Sequence, residues 1–199
     1  MALALFDDIP AYPTFDLGPY RRAEYEELPE APRCELIFGR FYVSPSPTPL
    51  HQTVASLLWQ FLRALGGPVG ARAFAAPLDT VLADHSVVQP DVIYLSAEKR
   101  GLVRERIEGV PDLVVEVVSP GSARIDRGAK LRAYAEAEIL EYWIADPASR
   151  LIEFLVLRDG GYNVVVPEGP IYRSPVLPEI QFDLESFWRE IDEELALIS

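Results

Sequence analysis

A single carboxylate lies inside an aliphatic run, and this run constrains the fold more than any other stretch of the chain. Residues 113–118 read LVVEVV, with Glu116 in the middle. A continuous aliphatic run predicts a strand that is covered on both faces of a sheet. Because an unpaired carboxylate inside a protein is strongly unfavourable, we expect a cation or a proton beside Glu116. The candidates are a metal ion, an arginine or lysine side chain, and a proton on the carboxyl group itself.

Helical and strand patterns alternate along the chain and predict an α/β protein with a mixed β-sheet. The clearest helix begins after Thr48, a good N-cap, and carries apolar residues at helical spacing through residue 65. No internal repeat is present, so one domain over residues 1–199 is expected, with an extended N-terminal arm (about 1–20) and a C-terminal helix (about 184–198). Further helices are predicted at residues 20–28 and 125–137, and strands at 34–43 (a hairpin), 71–76, 79–82, 92–95, 113–118, 142–145, 151–157 and 162–166.

Charge and cysteine content exclude several classes of protein. The net charge of -13, from 31 acidic and 18 basic residues, disfavours broad, non-specific binding to nucleic acid. It leaves room for a local basic groove or for an acidic cluster that holds divalent cations. The single cysteine, Cys34, excludes an intramolecular disulfide and a cysteine zinc site. No apolar run reaches the roughly 18 residues of a membrane span, and the first residues lack the basic start of a signal peptide, so a cytoplasmic protein is expected.

Three acids stand at β runs where an aliphatic or loop residue would be ordinary. Glu35 opens one strand, Asp91 precedes another, and Glu116 lies inside a third, while Lys130 falls in the helix that follows. If the strands of Asp91 and Glu116 pair, their carboxylates can meet at one point of the sheet. Carboxylates with a nearby lysine suit metal-assisted phosphodiester hydrolysis, because Mg²⁺ takes oxygen ligands and an ammonium group stabilises charge in the transition state.

The order of these residues resembles the PD-(D/E)XK nuclease superfamily and, more narrowly, the Uma-type restriction endonucleases. The resemblance is carried by CELIFGRFYVSPSPTPLHQTVASLL, VVQPDVIYL, PDLVVEVVSPGSARIDRGAKLRAY and EYWIADP. It implies a restriction-endonuclease-like fold, a mixed central sheet flanked by helices. It also implies DNA as substrate and Mg²⁺ or Mn²⁺ as cofactor.

Carried over to this sequence, the resemblance makes Asp91 and Glu116 metal ligands and Glu35 an additional metal-binding acid. The motif's lysine position, two residues after Glu116, holds Val118, which can neither bind a metal nor activate water. In the Uma-type pattern the lysine lies in the following helix, where Lys130 stands. The predicted catalytic set is therefore Glu35, Asp91, Glu116 and Lys130, in a protein for which a homodimer is also expected because nucleases that cut both strands often pair.

Other interpretations of the same residues stay open. Glu116 could form a purely structural ion pair, and His51 is predicted as a surface or capping histidine. A nuclease fold without catalysis, serving as a binding or regulatory module, is favoured by the net charge and by Val118. A hydrolase with a metal-free carboxylate pair is a third option, and it predicts activity in EDTA.

Overall fold

The described part of the computed structural model comprises residues 17–29 and 31–197. Most of the predicted N-terminal arm, residues 1–16, lies outside it. The elements in chain order are α1 (Arg22–Glu26), β1 (Cys34–Ile37), β2 (Arg40–Val43), α2 (Pro49–Gly66), β3 (Arg72–Ala75), β4 (Thr80–Ala83), β5 (Ser86–Val88), β6 (Val92–Leu95), β7 (Ile107–Glu108), β8 (Leu113–Val117), α3 (Ala123–Ile125), a π-helical turn (Asp126–Lys130), α4 (Leu131–Glu136), β9 (Glu141–Asp146), β10 (Leu151–Arg158), β11 (Gly161–Val165), β12 (Ile171–Arg173), β13 (Gln181–Asp183) and α5 (Leu184–Ala196).

The central element is a six-stranded sheet in the order β11-β10-β9-β8-β6-β3. Strand β8, the aliphatic run, lies in the interior of this sheet, parallel to β9 and antiparallel to β6. The sheet is therefore mixed, as the sequence predicts. All five residues of β8 are buried, in agreement with a strand that is covered on both faces.

Alternation along β8 assigns its side chains to two different cores. Val115 and Val117 pack with α2 and α5 on one face of the sheet. Val114 and Val118 pack with Tyr134 of α4 on the other face. Because side chains alternate along a strand, Glu116 shares the face of Val114 and points towards α4.

A second sheet, in the order β2-β1-β5-β4-β7, packs on the α4 side of the molecule. Strand β1 pairs with β2 as the predicted hairpin and with β5 along its other edge. Glu35 is the second residue of β1 and is 4% exposed. The two sheets thus bring Glu35 and Glu116 to the same side of α4.

The α/β class with mixed sheets flanked by helices is confirmed. As predicted, Thr48 caps α2, and it does so by accepting a hydrogen bond from the backbone N–H of His51 at 3.2 Å. Several other local details were not predicted. The charged segment between β6 and β8 contains a 3-10 helix (Ala97–Leu102) and the short strand β7. Strands β5, β12 and β13 were also missed, because three-residue strands carry too little periodicity to stand out in a sequence. Within the described residues, no helix is both long and apolar enough to cross a membrane.

Candidate active site

Asp91 directly precedes β6 and lies beside β8, which carries Glu116. In the β6–β8 pair Val92 faces Val115, so one position further along the two chains Asp91 comes alongside Glu116. The backbone N–H of Val117 donates to Asp91 Oδ2 at 2.8 Å, which fixes this carboxylate against β8. The condition stated from sequence, that these two strands pair, is therefore met.

Lys130 turns back onto Glu116. Its Nζ atom lies 2.8 Å from Glu116 Oε1 and 3.0 Å from Glu35 Oε2, and the lysine is only 5% exposed. Burial by itself lowers the pKa of Lys130, but the charges of Glu116, Glu35 and Asp126 outweigh it and raise the pKa above its usual value. Lys130 is therefore an ammonium group at neutral pH, held between carboxylates from two different sheets.

A π-helical turn carries Lys130 into the site. The sequence predicts an uninterrupted helix over residues 125–137, but Asp126–Lys130 form a π turn between α3 and α4. Such turns add one residue to a helical turn and occur frequently at functional sites. Asp126, Lys130 and Tyr134 are four residues apart and share one face of this segment. All three are buried against Glu116 or its partners.

Glu116 sits in a strongly perturbed environment. Burial raises its pKa well above the usual value, Lys130 opposes this shift, and the charges of Asp126, Asp91 and Glu35 add to it. Its Oε1 atom accepts hydrogen bonds from Lys130 Nζ and from the Tyr134 hydroxyl, the latter at 2.6 Å. The raised pKa reflects burial first and then the acids gathered around one lysine, an arrangement typical of functional sites.

Glu35 is held by partners on both of its oxygens. Its Oε1 accepts the backbone N–H of Gln89 at 2.7 Å, and its Oε2 faces Lys130 and accepts from Ser44 Oγ at 3.4 Å. In the described chain no group of three His, Cys, Asp or Glu side chains forms a preformed metal cluster. The expected cluster of Glu35, Asp91 and Glu116 around one ion is thus not preformed, because Glu35 is directed to Lys130. The metal-binding role of each acid stays a prediction.

His51, predicted at the surface, lies in the site. His51 is the third residue of α2, and its Nε2 atom is 3.2 Å from Asp91 Oδ2. Burial works to lower the pKa of His51, but the Asp91 carboxylate and the Val117 carbonyl together raise it. The only sequence signal was its place in the first turn of α2, after the hairpin that carries Glu35.

The site opens into a cavity of about 410 Å³ whose donor set fits a hard divalent cation. Asp91 and Glu116 both line it. Among the described residues, no hydrogen bond reaches Asp91 Oδ1 or Glu116 Oε2, so each carboxylate keeps one oxygen available. Mg²⁺ is usually held by one or two carboxylates, with water and substrate phosphate completing its shell. Two carboxylates beside an open cavity meet this requirement without a third protein ligand.

Comparison with known proteins shows the family and the fold of this chain. The sequence matches the Uma2 family, described as "Putative restriction endonuclease", over residues 22–185. The fold resembles the crystal structure of a protein from Anabaena variabilis described as a "putative nuclease belonging to DUF820". The two share a TM-score of 0.72 and 18% sequence identity, and the match covers 87% of this chain and 99% of the other. A comparison with curated proteins finds no match. Since the family match spans most of the chain and includes every residue of the site, this protein belongs to the Uma2 family.

Proposed function

We propose that this protein is a divalent-metal-dependent endonuclease that hydrolyses DNA phosphodiester bonds. The observation that carries the proposal is the buried ammonium group of Lys130, 2.8 Å from Glu116, which in turn stands opposite Asp91 at an open cavity. A buried ion pair kept only for structure could be replaced, both partners together, by apolar packing, often without loss of stability. A lysine that borders two partly uncommitted carboxylates suits phosphoryl chemistry instead.

Asp91 and Glu116 are the proposed metal ligands, through Asp91 Oδ1 and Glu116 Oε2. When bound, Mg²⁺ or Mn²⁺ polarises a phosphoryl oxygen and lowers the pKa of a water molecule. The protein's part is to keep both carboxylates in place. Val117 N–H and His51 hold Asp91 at Oδ2, whereas Lys130 and Tyr134 hold Glu116 at Oε1.

Lys130 acts as a charge stabiliser and not as a general base. Its acidic neighbours raise its pKa, so it keeps its proton at neutral pH and cannot take one from water. A positive donor at this place stabilises the negative charge that develops on the phosphate in the transition state. Glu35 contributes indirectly as a positioning residue, since it holds the second side of the ammonium group at 3.0 Å.

Cleavage of plasmid and single-stranded DNA in Mn²⁺ tests the proposal. We expect nicking or cutting by the native protein, none in EDTA, and a loss of at least about 100-fold in Asp91→Asn, Glu116→Gln and Lys130→Met, as for removal of a charge-stabilising donor. Asp159→Asn, a change at an exposed turn, is the matched control.

Three outcomes would contradict the proposal. Cleavage that survives Glu116→Gln and Lys130→Met indicates a contaminant, and cleavage in EDTA indicates a metal-free carboxylate pair. Binding of DNA without cleavage in Mn²⁺ indicates the non-catalytic module. A homodimer and a cytoplasmic location stay predictions from the sequence.

A further inference from the structure

We propose that Arg33 binds a backbone phosphate of the substrate at the mouth of the site cavity. This inference rests on the proposed function, and it assigns a substrate-binding role to a residue that neither the motif nor the metal site involves. Arg33 lies in the segment before β1, half-buried, and lines the same cavity as Glu35 and Glu116.

The charge balance of the cavity makes Arg33 distinctive. The acids that line it are Glu35, Asp91, Glu116 and Asp126, and its only lysine and arginine among the described residues are Lys130 and Arg33. Lys130 is surrounded by its carboxylates, and His51 faces Asp91. A polyanion that enters this cavity therefore meets one cation whose charge is not already matched by an acid.

A neutral partner holds the guanidinium of Arg33. Its Nε atom donates to Gln89 Oε1 at 3.0 Å, and no carboxylate of the described residues forms an ion pair with it. Other arginines of this acidic chain do pair with acids, as in Arg22 with Glu108 and Arg150 with Asp192. An arginine that is oriented by an amide keeps its full positive charge for a ligand.

The anchor of Arg33 is itself connected to the site. The backbone N–H of Gln89 donates to Glu35, and the Gln89 side chain also donates to Asp79 at 2.8 Å. The backbone carbonyl of Arg33 accepts from the N–H of Ser44 at 2.9 Å. These contacts fix the position of Arg33 relative to Lys130, which Glu35 also contacts.

The surface around Arg33 continues beyond the site. A second cavity of about 490 Å³ shares Arg33, Pro77 and Gln89 with the first, so Arg33 lies where the two meet. Guanidinium groups have five N–H donors, of which Gln89 takes one, and they bind phosphate in a bidentate manner. A chain of phosphates that crosses from one cavity to the other passes Arg33.

Salt dependence of DNA binding tests this role without relying on catalysis. A fluorescent oligonucleotide is titrated with protein in Ca²⁺, between 50 and 200 mM salt, for the native protein, Arg33→Gln, Arg33→Met and Arg33→Lys. Loss of one phosphate contact should reduce the slope of log K against log salt by about 0.7–0.9. We expect this reduction in both neutral variants and a slope close to native in Arg33→Lys. Arg173→Gln, at an exposed position on β12 that does not line the cavity, should keep the native slope.

The outcomes separate this inference from the proposed function. If the native protein binds DNA but both neutral variants keep its slope, or if Arg173→Gln lowers the slope equally, the role of Arg33 is wrong and the nuclease proposal stands. If the native protein shows no salt-dependent DNA binding, both are wrong. Circular dichroism of each variant, compared with the native spectrum, ensures that a reduced slope does not arise from unfolding.

Discussion

Replacing Asp126 by asparagine should stabilise the metal-free protein at neutral pH, although it removes a carboxylate 3.9 Å from Lys130. Asp126 is 2% exposed. Burial raises its pKa from 3.8 to about 6, against the opposing effects of Lys130 and of a hydrogen bond with Ser122. A carboxyl group with a raised pKa binds its proton more tightly in the folded protein than in the unfolded chain, so its ionisation destabilises the fold.

The size of the effect follows from the two pKa values. Their difference, at 1.36 kcal/mol per pKa unit, corresponds to about 3 kcal/mol at pH 7.5. Between the two values the unfolded carboxyl is ionised while the folded one keeps its proton, so the penalty grows as the pH rises through this window and is constant above it. At pH 5 the penalty is only about half as large. Asparagine has the same shape and does not ionise, so Asp126→Asn should raise the free energy of unfolding by these amounts.

Urea unfolding in EDTA at pH 5, 6 and 7.5 measures the gain. Asp159→Asn, in the exposed turn between β10 and β11, corrects for the removal of one charge from a chain of net charge -13. We expect the free energy of unfolding of Asp126→Asn to exceed that of this control by about 3 kcal/mol at pH 7.5 and by about half of that at pH 5. A gain no larger than the control's, or one that increases as the pH falls, would refute the electrostatic account of the site.

Three further predictions concern the site and its support. Lys130→Met should lower the free energy of unfolding by about 3–5 kcal/mol in urea titrations at pH 7.5, because it leaves the buried carboxyl groups of Glu116 and Glu35 without their shared cation. An unchanged midpoint would contradict the buried pair. Mn²⁺ at 100 times its dissociation constant should stabilise the native protein by about 2.7 kcal/mol, seen as a higher melting temperature, and the rise should be absent in Glu116→Gln. Gly66→Ala should cost about 1–3 kcal/mol, because its Cβ would lie 2.5 Å from the Tyr94 ring, whereas Gly67→Ala has open space and should cost less.

Much of the fold could be predicted because the signals are local. The aliphatic run around Glu116 predicts a buried strand, and Thr48 with the apolar spacing after it predicts α2. Both arise from short-range physics: alternation, helical period and capping act within a few residues. The short strands β5 and β12 lack such signals. They form because the strands and loops beside them, brought there by the chain's long-range packing, supply the hydrogen-bond partners.

The sequence by itself determined that Glu116 needs a cation or a proton beside it and that Asp91, Glu35 and Lys130 were candidates to lie nearby. Only the tertiary structure decided which residues contact Glu116 and Asp91. The π turn directs Lys130 between Glu116 of one sheet and Glu35 of the other, and α2 brings His51 to Asp91. The reason is physical: a carboxylate's need for a partner is a property of one residue and its strand, whereas the choice of partner depends on how separate elements pack in space.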